Sequence, residues 1–360
     1  PALVDAPGGT ERWISARGAS DDKGQVMTFL EAVRAIRATG APLPVRITVL
    51  IEGEEENGSP SLRAFLRDNR DELAAEYALI CDTGMMDDGT PAITTMLRGL
   101  VGEEVVITAA DRDLHSGMFG GAARNPLHVL ADVLASLRDA EGRVTIAGFY
   151  DDVRPLPAEV RAAWERLEQT EAAILNPVGL SQAAGETSHS ALEQIWSRPT
   201  CEVNGITGGY GGEGFKTVLP ARAMAKVSFR LVADQDPERV REAFRAHVRA
   251  RIPRDCRVEF HAHGGSPASS VPIDSPPLRA ALDALTAEWD RPAVVIGGGG
   301  SIPVVRDLQE LLGLDSLLVG FGKSDDRLHS PNEKYDLSSF HKGTRSWVRI
   351  LHRLGEAAAS

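Results

Sequence analysis

The sequence predicts an α/β protein of two units, and three observations carry that expectation. Runs of β-formers alternate with amphipathic helical stretches, and acids and turn residues gather where the strand-like runs end. At 360 residues the chain also exceeds one ordinary core. Residues 25–39, QVMTFLEAVRAIRAT, place Val26, Leu30, Val33 and Ile36 at helical spacing, with Gly40 as the stop. VRITVLI at 45–51 is rich in β-branched residues and reads as a buried strand, closed by the turn residues NGSP at 57–60. A helical stretch near 60–75 follows, then YALICDTG at 77–84, a second short apolar run ending in an acid. Strand, helix, strand in this order predicts a mostly parallel sheet covered by helices.

The patterning changes after Arg98 and Gly99. VGEEVVITAA (101–110) reads as a strand, and NPLHVLADVLASLRDA (125–140) as a helix with Leu127, Leu130, Leu134 and Leu137 on one face. AKVSFRLVA (225–233) alternates like a half-buried strand, DPERVREAFRAHVRARI (236–252) reads as a helix, and RVEFHAHG (257–264) as a strand. This set predicts an inserted α+β unit. GGSPASSVPIDSPP (264–277) is a turn-rich linker, after which helix 278–289, GGGG at 297–300 and the strand SLLVGFG (316–322) return to α/β patterning. The expected division is 1–98, 99–270 and 271–360, the outer two forming one domain.

Composition excludes several roles. Hydrophobic content of 42% and charged content of 25% are those of a globular protein. Lys+Arg of 39 against Asp+Glu of 51 leaves −12, which argues against a nucleic-acid or anionic-membrane partner. No apolar run approaches the ~20 residues of a membrane span. Cys81, Cys201 and Cys256 are widely spaced and odd in number, which argues against a disulfide framework and fits a cytoplasmic setting. The opening PALVDAPGGTERW has neither an initiator Met nor a signal peptide, so a fragment or processed product is expected.

Four clusters carry the chemistry: RGASDDKG (17–24), EGEEENGS (52–59), CDTG (81–84) and DDRLHSPNEK (325–334). Taken singly, Asp21 and Asp22 would cap a helix, Asp82 would form a turn, and His329 would be a loop histidine. Together they place carboxylates at strand edges beside an imidazole, the donor set of a divalent cation. Glu52, Glu54, Glu55 and Glu56 repel one another, and a cation or a proton relieves that repulsion.

GASDDKG, EGEEENGS, DLHSGMFGG, GGSIPV and LHSPNEK, in this order and spacing, resemble the M20 family of two-metal peptidases, in its dipeptidase branch that includes the carnosinases. GFYDDVRPL (148–156) and KTVLPARAMAKVSFRLV (216–232) extend the likeness over nearly the whole chain. The resemblance implies a two-zinc aminopeptidase-like catalytic domain interrupted by an α+β lid and dimerisation domain. It also implies a homodimer, two divalent ions (zinc, with manganese as the alternative), and a dipeptide or similar small amide as substrate. By the same resemblance Asp21 bridges the metals, Glu55 is the general base, Glu56 and His329 share one metal, and Asp82 holds the other. His115 reaches a partner's oxyanion, Arg230 takes the substrate's terminal carboxylate, and Thr217 and Ser301 add substrate contacts.

Two departures stand out. The family has an earlier His-x-Asp strand whose His is a ligand, and no histidine precedes Asp21 here, so one metal is expected to be held poorly and activity of the 360-residue chain is in question. Gly298 stands where carnosinase-like members carry an acid associated with the substrate's amino group. Rival readings are an N-acyl amino-acid deacylase or desuccinylase of the same fold, and a non-catalytic dimeric relative. Asp82 favours the dipeptidase, since acylase-type and carboxypeptidase-type members tend to carry Glu there. A nucleotide-binding module, prompted by GGYGGEGFKT (208–217), fails because Phe215 interrupts the contiguous Gly-Lys-Thr that a phosphate cradle needs.

Overall fold

A computed structural model describes residues 1–167, 169–300 and 302–358. In chain order the elements are β1 (Ala2–Asp5), β2 (Arg12–Ser15), α1 (Lys23–Ala38), α2 (Leu62–Asp68), β3 (Tyr77–Ile80), β4 (Ala92–Leu97) and β5 (Gly99–Thr108). Then come β6 (Leu114–His115), α3 (Ser116–Phe119), α4 (Pro126–Ala135), α5 (Ala158–Trp164), α6 (Glu171–Leu175), α7 (Ala191–Trp196), β7 (Thr200–Gly208), β8 (Val218–Leu219) and β9 (Arg222–Leu231). The remainder is α8 (Pro237–Arg249), β10 (Arg257–Ser266), β11 (Ser269–Ser270), α9 (Pro276–Trp289), β12 (Val294–Gly298), α10 (Pro303–Asp307), β13 (Asp315–Val319), β14 (Lys334–Asp336) and α11 (Leu337–Ala358). One compact unit comprises Pro1–Thr95, Ser270–Gly297 and Ile302–Ser360, the other Met96–Ser269 and Gly298–Ser301.

In the first unit the main sheet has the order β11-β4-β13-β3, with β12 beside β4. β13 runs parallel to β3 (Leu317 opposite Leu79) and antiparallel to β4 (Leu318 opposite Thr94). The sheet is therefore mixed rather than mostly parallel, because no helix intervenes between β3 and β4 to carry the chain back for a parallel crossover. α1, α9 and α11 supply Ala32, Leu278, Leu285, Trp289, Trp347 and Ile350 to a core closed by Leu317 and Val319 of β13 and by Phe321 just beyond it. The stripe in 25–39 produced α1, and Gly40, at φ +79°, takes the left-handed conformation that ends it.

The expected strand at 45–51 does not form. Val49, Leu50 and Ile51 are exposed, and among the described residues no strand pairs with the segment. β-formers express fit to a pleated, half-buried surface, and without a neighbour the backbone groups have no ladder to join. The helix expected near 60–75 is shorter, ending at Asp68.

The second unit is built on an antiparallel sheet of order β10-β5-β9-β7. α4 and α8 help build its core, where Leu130, Val133, Phe244 and Val248 meet Val105, Ile107, Val227 and Phe229. Both helices begin as their sequences specify. Asn125 Oδ1 accepts from Leu127 N–H at 2.9 Å and Asp236 Oδ1 from Arg239 N–H at 2.8 Å, each with proline next in the chain. Glu103, buried on β5, is compensated by Arg241 and by Arg245 at 2.7 Å. The two-residue pair β6–β8 sets His115 opposite Val218.

Candidate metal centre

Six titratable side chains of the first unit meet where its loops converge. Asp21 lies in the loop between β2 and α1, and that loop is held by one acid. Glu333 accepts the backbone N–H groups of Gly18 (2.8 Å), Ser20 (2.9 Å) and Asp21 (3.0 Å), and Arg17 reaches it at 3.2 Å. Three charge-assisted bonds to one carboxylate keep its pKa low despite burial and hold the backbone of the loop that carries Asp21.

The crowded glutamates divide their work. Glu52 Oε1 accepts from Ser59 Oγ at 2.6 Å and Glu54 Oε2 from Ser61 N–H at 3.1 Å, so these two close the turn. Glu55 and Glu56 lie in a single 3₁₀ turn, Glu55–Asn57, not on a strand. At three residues per turn, neighbours project about 120° apart, which separates the two carboxylates. Asp82 follows β3 by two residues, at the C-terminal edge of a sheet strand. His329 occupies a loop in the left-handed region (φ +55°), flanked by Arg327 at +58° and Asn332 at +64°. Three such non-glycine residues in one loop are costly, of order 1–3 kcal/mol each, and strain of this kind gathers at functional sites.

His329 Nε2 stands 2.9 Å from Asp21 Oδ2 and 3.1 Å from the Glu56 carboxylate. Asp21, Glu56 and His329 each offer a ligand atom, all within 4.8 Å of one another. Asp82 and Glu55 lie outside that trio but within its electrostatic reach. Burial first, then repulsion from Asp21, Glu55 and Glu56, pushes the Asp82 carboxyl up to about 7. Asp22 is pushed up to about 9 by burial and then by Asp82, Asp21 and Glu55, and its Oδ1 is buried without a hydrogen-bond partner. Asp22 stands at the N-cap of α1 but makes no capping bond. Glu55 is raised by partial burial and then by Glu56 and Asp21, and His329 is raised by Glu56 and Asp21. The His329 imidazole thus lies between two carboxylates whose negative charge favours its protonated form and would equally favour a bound cation. Two carboxylate oxygens and an imidazole nitrogen suit zinc or manganese, so the residues present fit such an ion.

These shifts set a pH dependence. The unperturbed aspartate value is 3.8, so Asp82 and Asp22 bind protons more tightly folded than unfolded. The stability they lend the metal-free chain is complete below about pH 4 and is lost as pH rises through their folded values. Chelator-stripped protein is expected to lose roughly 5 °C of melting temperature between about pH 5.5 and pH 8.5, and Asp82→Asn to flatten that slope. A melting temperature that rises over this interval would contradict the assignment.

In the second unit, His115 caps the short helix α3, its Nδ1 accepting from Gly117 N–H at 3.0 Å, and Nε2 lies 3.5 Å from Thr217 Oγ1. Both line an open hollow of about 460 Å³ with Asp113, Phe215 and Lys216. Arg230 is half-buried on β9, opposite Leu100 of β5. Gly298 ends β12, and Ser301 lies outside the described residues. Neither Glu333 nor Asp22 was assigned a role at this centre from the sequence, although both lie in the clusters singled out there. The acid inside LHSPNEK was the one available hint of the former.

A family model described as "Peptidase family M20/M25/M40" matches residues 6–353. The chain belongs to that family. It is an M20 hydrolase, of α/β fold with a catalytic and a lid domain as in its structural neighbours. The M20 chain is 30% identical over 351 residues to a Cys-Gly metallodipeptidase of Saccharomyces cerevisiae, covering 96% of this chain and 73% of that protein. It is 31% identical over 349 residues to the human Beta-Ala-His dipeptidase, covering 95% and 69%. Among solved structures, an M20 family metallo-carboxypeptidase from Sulfolobus solfataricus superposes with a TM-score of 0.82 at 31% identity, covering 96% of this chain and 78% of that one. Human carnosine dipeptidase 1 does so at 0.78 and 29%, covering 98% and 74%.

Proposed function

We propose that this M20 chain hydrolyses dipeptides that carry a free C-terminal carboxylate, using a metal held by Asp21, Glu56 and His329 and a proton carrier at Glu55. The observation that carries the reading is the convergence of those three ligand atoms within 4.8 Å, with the raised Glu55 carboxyl beside them. A bound cation of this kind lowers the pKa of water toward neutrality and polarises a peptide carbonyl. Glu55 takes the proton of the attacking water and returns it to the leaving amine, a task that favours a carboxyl shifted up toward the working pH. Glu333 holds the loop that carries Asp21 through the three backbone amides.

A second ion belongs beside Asp82 and Asp21. Its protein donors there are carboxylates, since His329 is the one histidine of the cluster among the described residues. We assign it the weaker affinity, zinc being the first choice and manganese the alternative. Arg230 receives the substrate's carboxylate, with Thr217 and Ser301 as further contacts. His115 is assigned to the developing oxyanion of a neighbouring copy in a homodimer formed through the second unit, the lid. No described helix is long and apolar enough to cross a membrane, and three free cysteines agree with a cytoplasmic setting.

A substrate panel tests this. Cys-Gly and β-Ala-His are to be compared with N-acetyl amino acids and longer peptides, after chelation and after adding back zinc or manganese. The expected result is metal-dependent cleavage of dipeptides at least about tenfold faster than of N-acetyl amino acids. The reverse preference would move the chain to the deacylase reading.

A further inference from the structure

The second unit holds a cationic pair of which the reading above uses only one member. Arg98 immediately precedes β5, and Leu100 of β5 lies opposite Arg230 of β9. Leu100 and Arg230 therefore share one face of the sheet, and Arg98 lies two residues before Leu100, in the link between β4 and β5. Arg98 is half-buried, and its fork is spent on neutral acceptors. Nε donates to the carbonyl of Gly299 at 3.2 Å, and Nη1 to those of Gln194 at 3.3 Å and Arg198 at 3.5 Å. Its backbone N–H reaches the Gly298 carbonyl at 3.4 Å. One side chain thereby ties the C-terminal end of α7 to the glycine run. A Cβ on Gly299 would stand 3.3 Å from Arg98 Nη2, so the two are in close apposition.

Among the described residues no carboxylate pairs directly with this charge. Among the described residues neither Arg98 nor Arg230 forms an ion pair, and Glu202, the acid that acts on Arg98 from a distance, is engaged by Arg138. Burial and then repulsion from Arg230 bring the Arg98 guanidinium down to about 10. Two half-buried guanidiniums close enough to repel each other, neither of them ion-paired among the described residues, are an arrangement that a carboxylate completes. Among the described residues Arg98 Nη2 has no hydrogen-bond partner and is the nitrogen available for it.

We propose that Arg98 is a specificity-determining residue that shares the substrate's terminal carboxylate with Arg230 while fastening the glycine run at 297–300. This rests on the dipeptidase reading in its assignment of Arg230. The test compares wild type, Arg98→Met, Arg98→Lys and Arg230→Met on a dipeptide and on the same dipeptide with its C-terminus amidated. Arg98→Met is expected to raise KM for the free acid by about tenfold or more with kcat within about threefold, and to leave kcat/KM for the amide within about threefold. Arg98→Lys recovers part of the loss, because it restores charge but not the fork. Equal losses on acid and amide, or a fall in kcat at unchanged KM, would mark Arg98 as merely structural and overturn the proposal. Should wild type cleave no dipeptide, the dipeptidase reading fails by itself, and the arginine pair is judged by NMR titration with N-acetylglycine and N-acetylglycinamide. Selective binding of the acid that both methionine variants lose supports the pair. Equal binding by wild type and Arg98→Met overturns it. If Arg98→Met melts far below wild type, Arg98→Lys carries both comparisons, and lysine performing as arginine does in each overturns the proposal.

Discussion

Glu55→Gln is expected to lower kcat by about 10³-fold while leaving the metal content unchanged. General acid–base transfer by a positioned side chain contributes on the order of 10²–10⁴-fold, and glutamine keeps the size and polarity of glutamate without accepting a proton. Glu55 is not one of the three residues whose ligand atoms meet within 4.8 Å, so removing its charge leaves that trio complete. Its carboxyl is raised by partial burial and by the negative charge of Glu56 and Asp21, which suits a group that must both take and give a proton near neutral pH. Steady-state kinetics on a dipeptide, read together with metal analysis of the same sample, separates this from a binding defect. A variant that keeps its metal and loses less than about tenfold in kcat would remove Glu55 from the proton-transfer role.

His329→Ala is expected to weaken metal binding by more than about 100-fold, since loss of an outer partner of a ligand alone costs 10–100-fold. His329 Nε2 lies 2.9 Å from Asp21 and 3.1 Å from Glu56, the one imidazole of the cluster, and without it two carboxylates face each other with no countercharge. The strained backbone of its loop argues that the position is held for this purpose. Activity of His329→Ala should be nearly absent at trace metal and return in part at high zinc, a pattern that a folding defect would not produce. Isothermal titration with zinc into chelator-stripped protein gives the affinity directly. Unchanged affinity would dissociate the imidazole from the metal.

The parts of the fold that were legible were those with local causes. α4 announced itself through an apolar stripe, α8 through its helical patterning and β9 through its alternation. The segment 45–51 misled because strand propensity is a statement about a neighbour that the segment does not have. The mixed sheet was illegible for a similar reason, since the partner order β4-β13-β3 joins residues more than two hundred positions apart. At the centre, the types and order of Asp21, Glu55, Glu56, Asp82 and His329 were visible, whereas Glu333 was not. Its role consists of accepting amides from a loop 315 residues away, and nothing in LHSPNEK encodes that partner. That Arg230 lies opposite Leu100, two residues from Arg98, is likewise a product of strand register.

The central claim is that Asp21, Glu56 and His329 form one metal site in the folded chain. The most direct test is metal content by mass spectrometry after dialysis against metal-free buffer, for wild type and for a variant with all three residues changed to alanine. At least one zinc or manganese ion per chain is expected in wild type, and under a tenth of that in the triple variant, whose folding is checked by circular dichroism. Equal metal content in the two folded proteins would contradict the account.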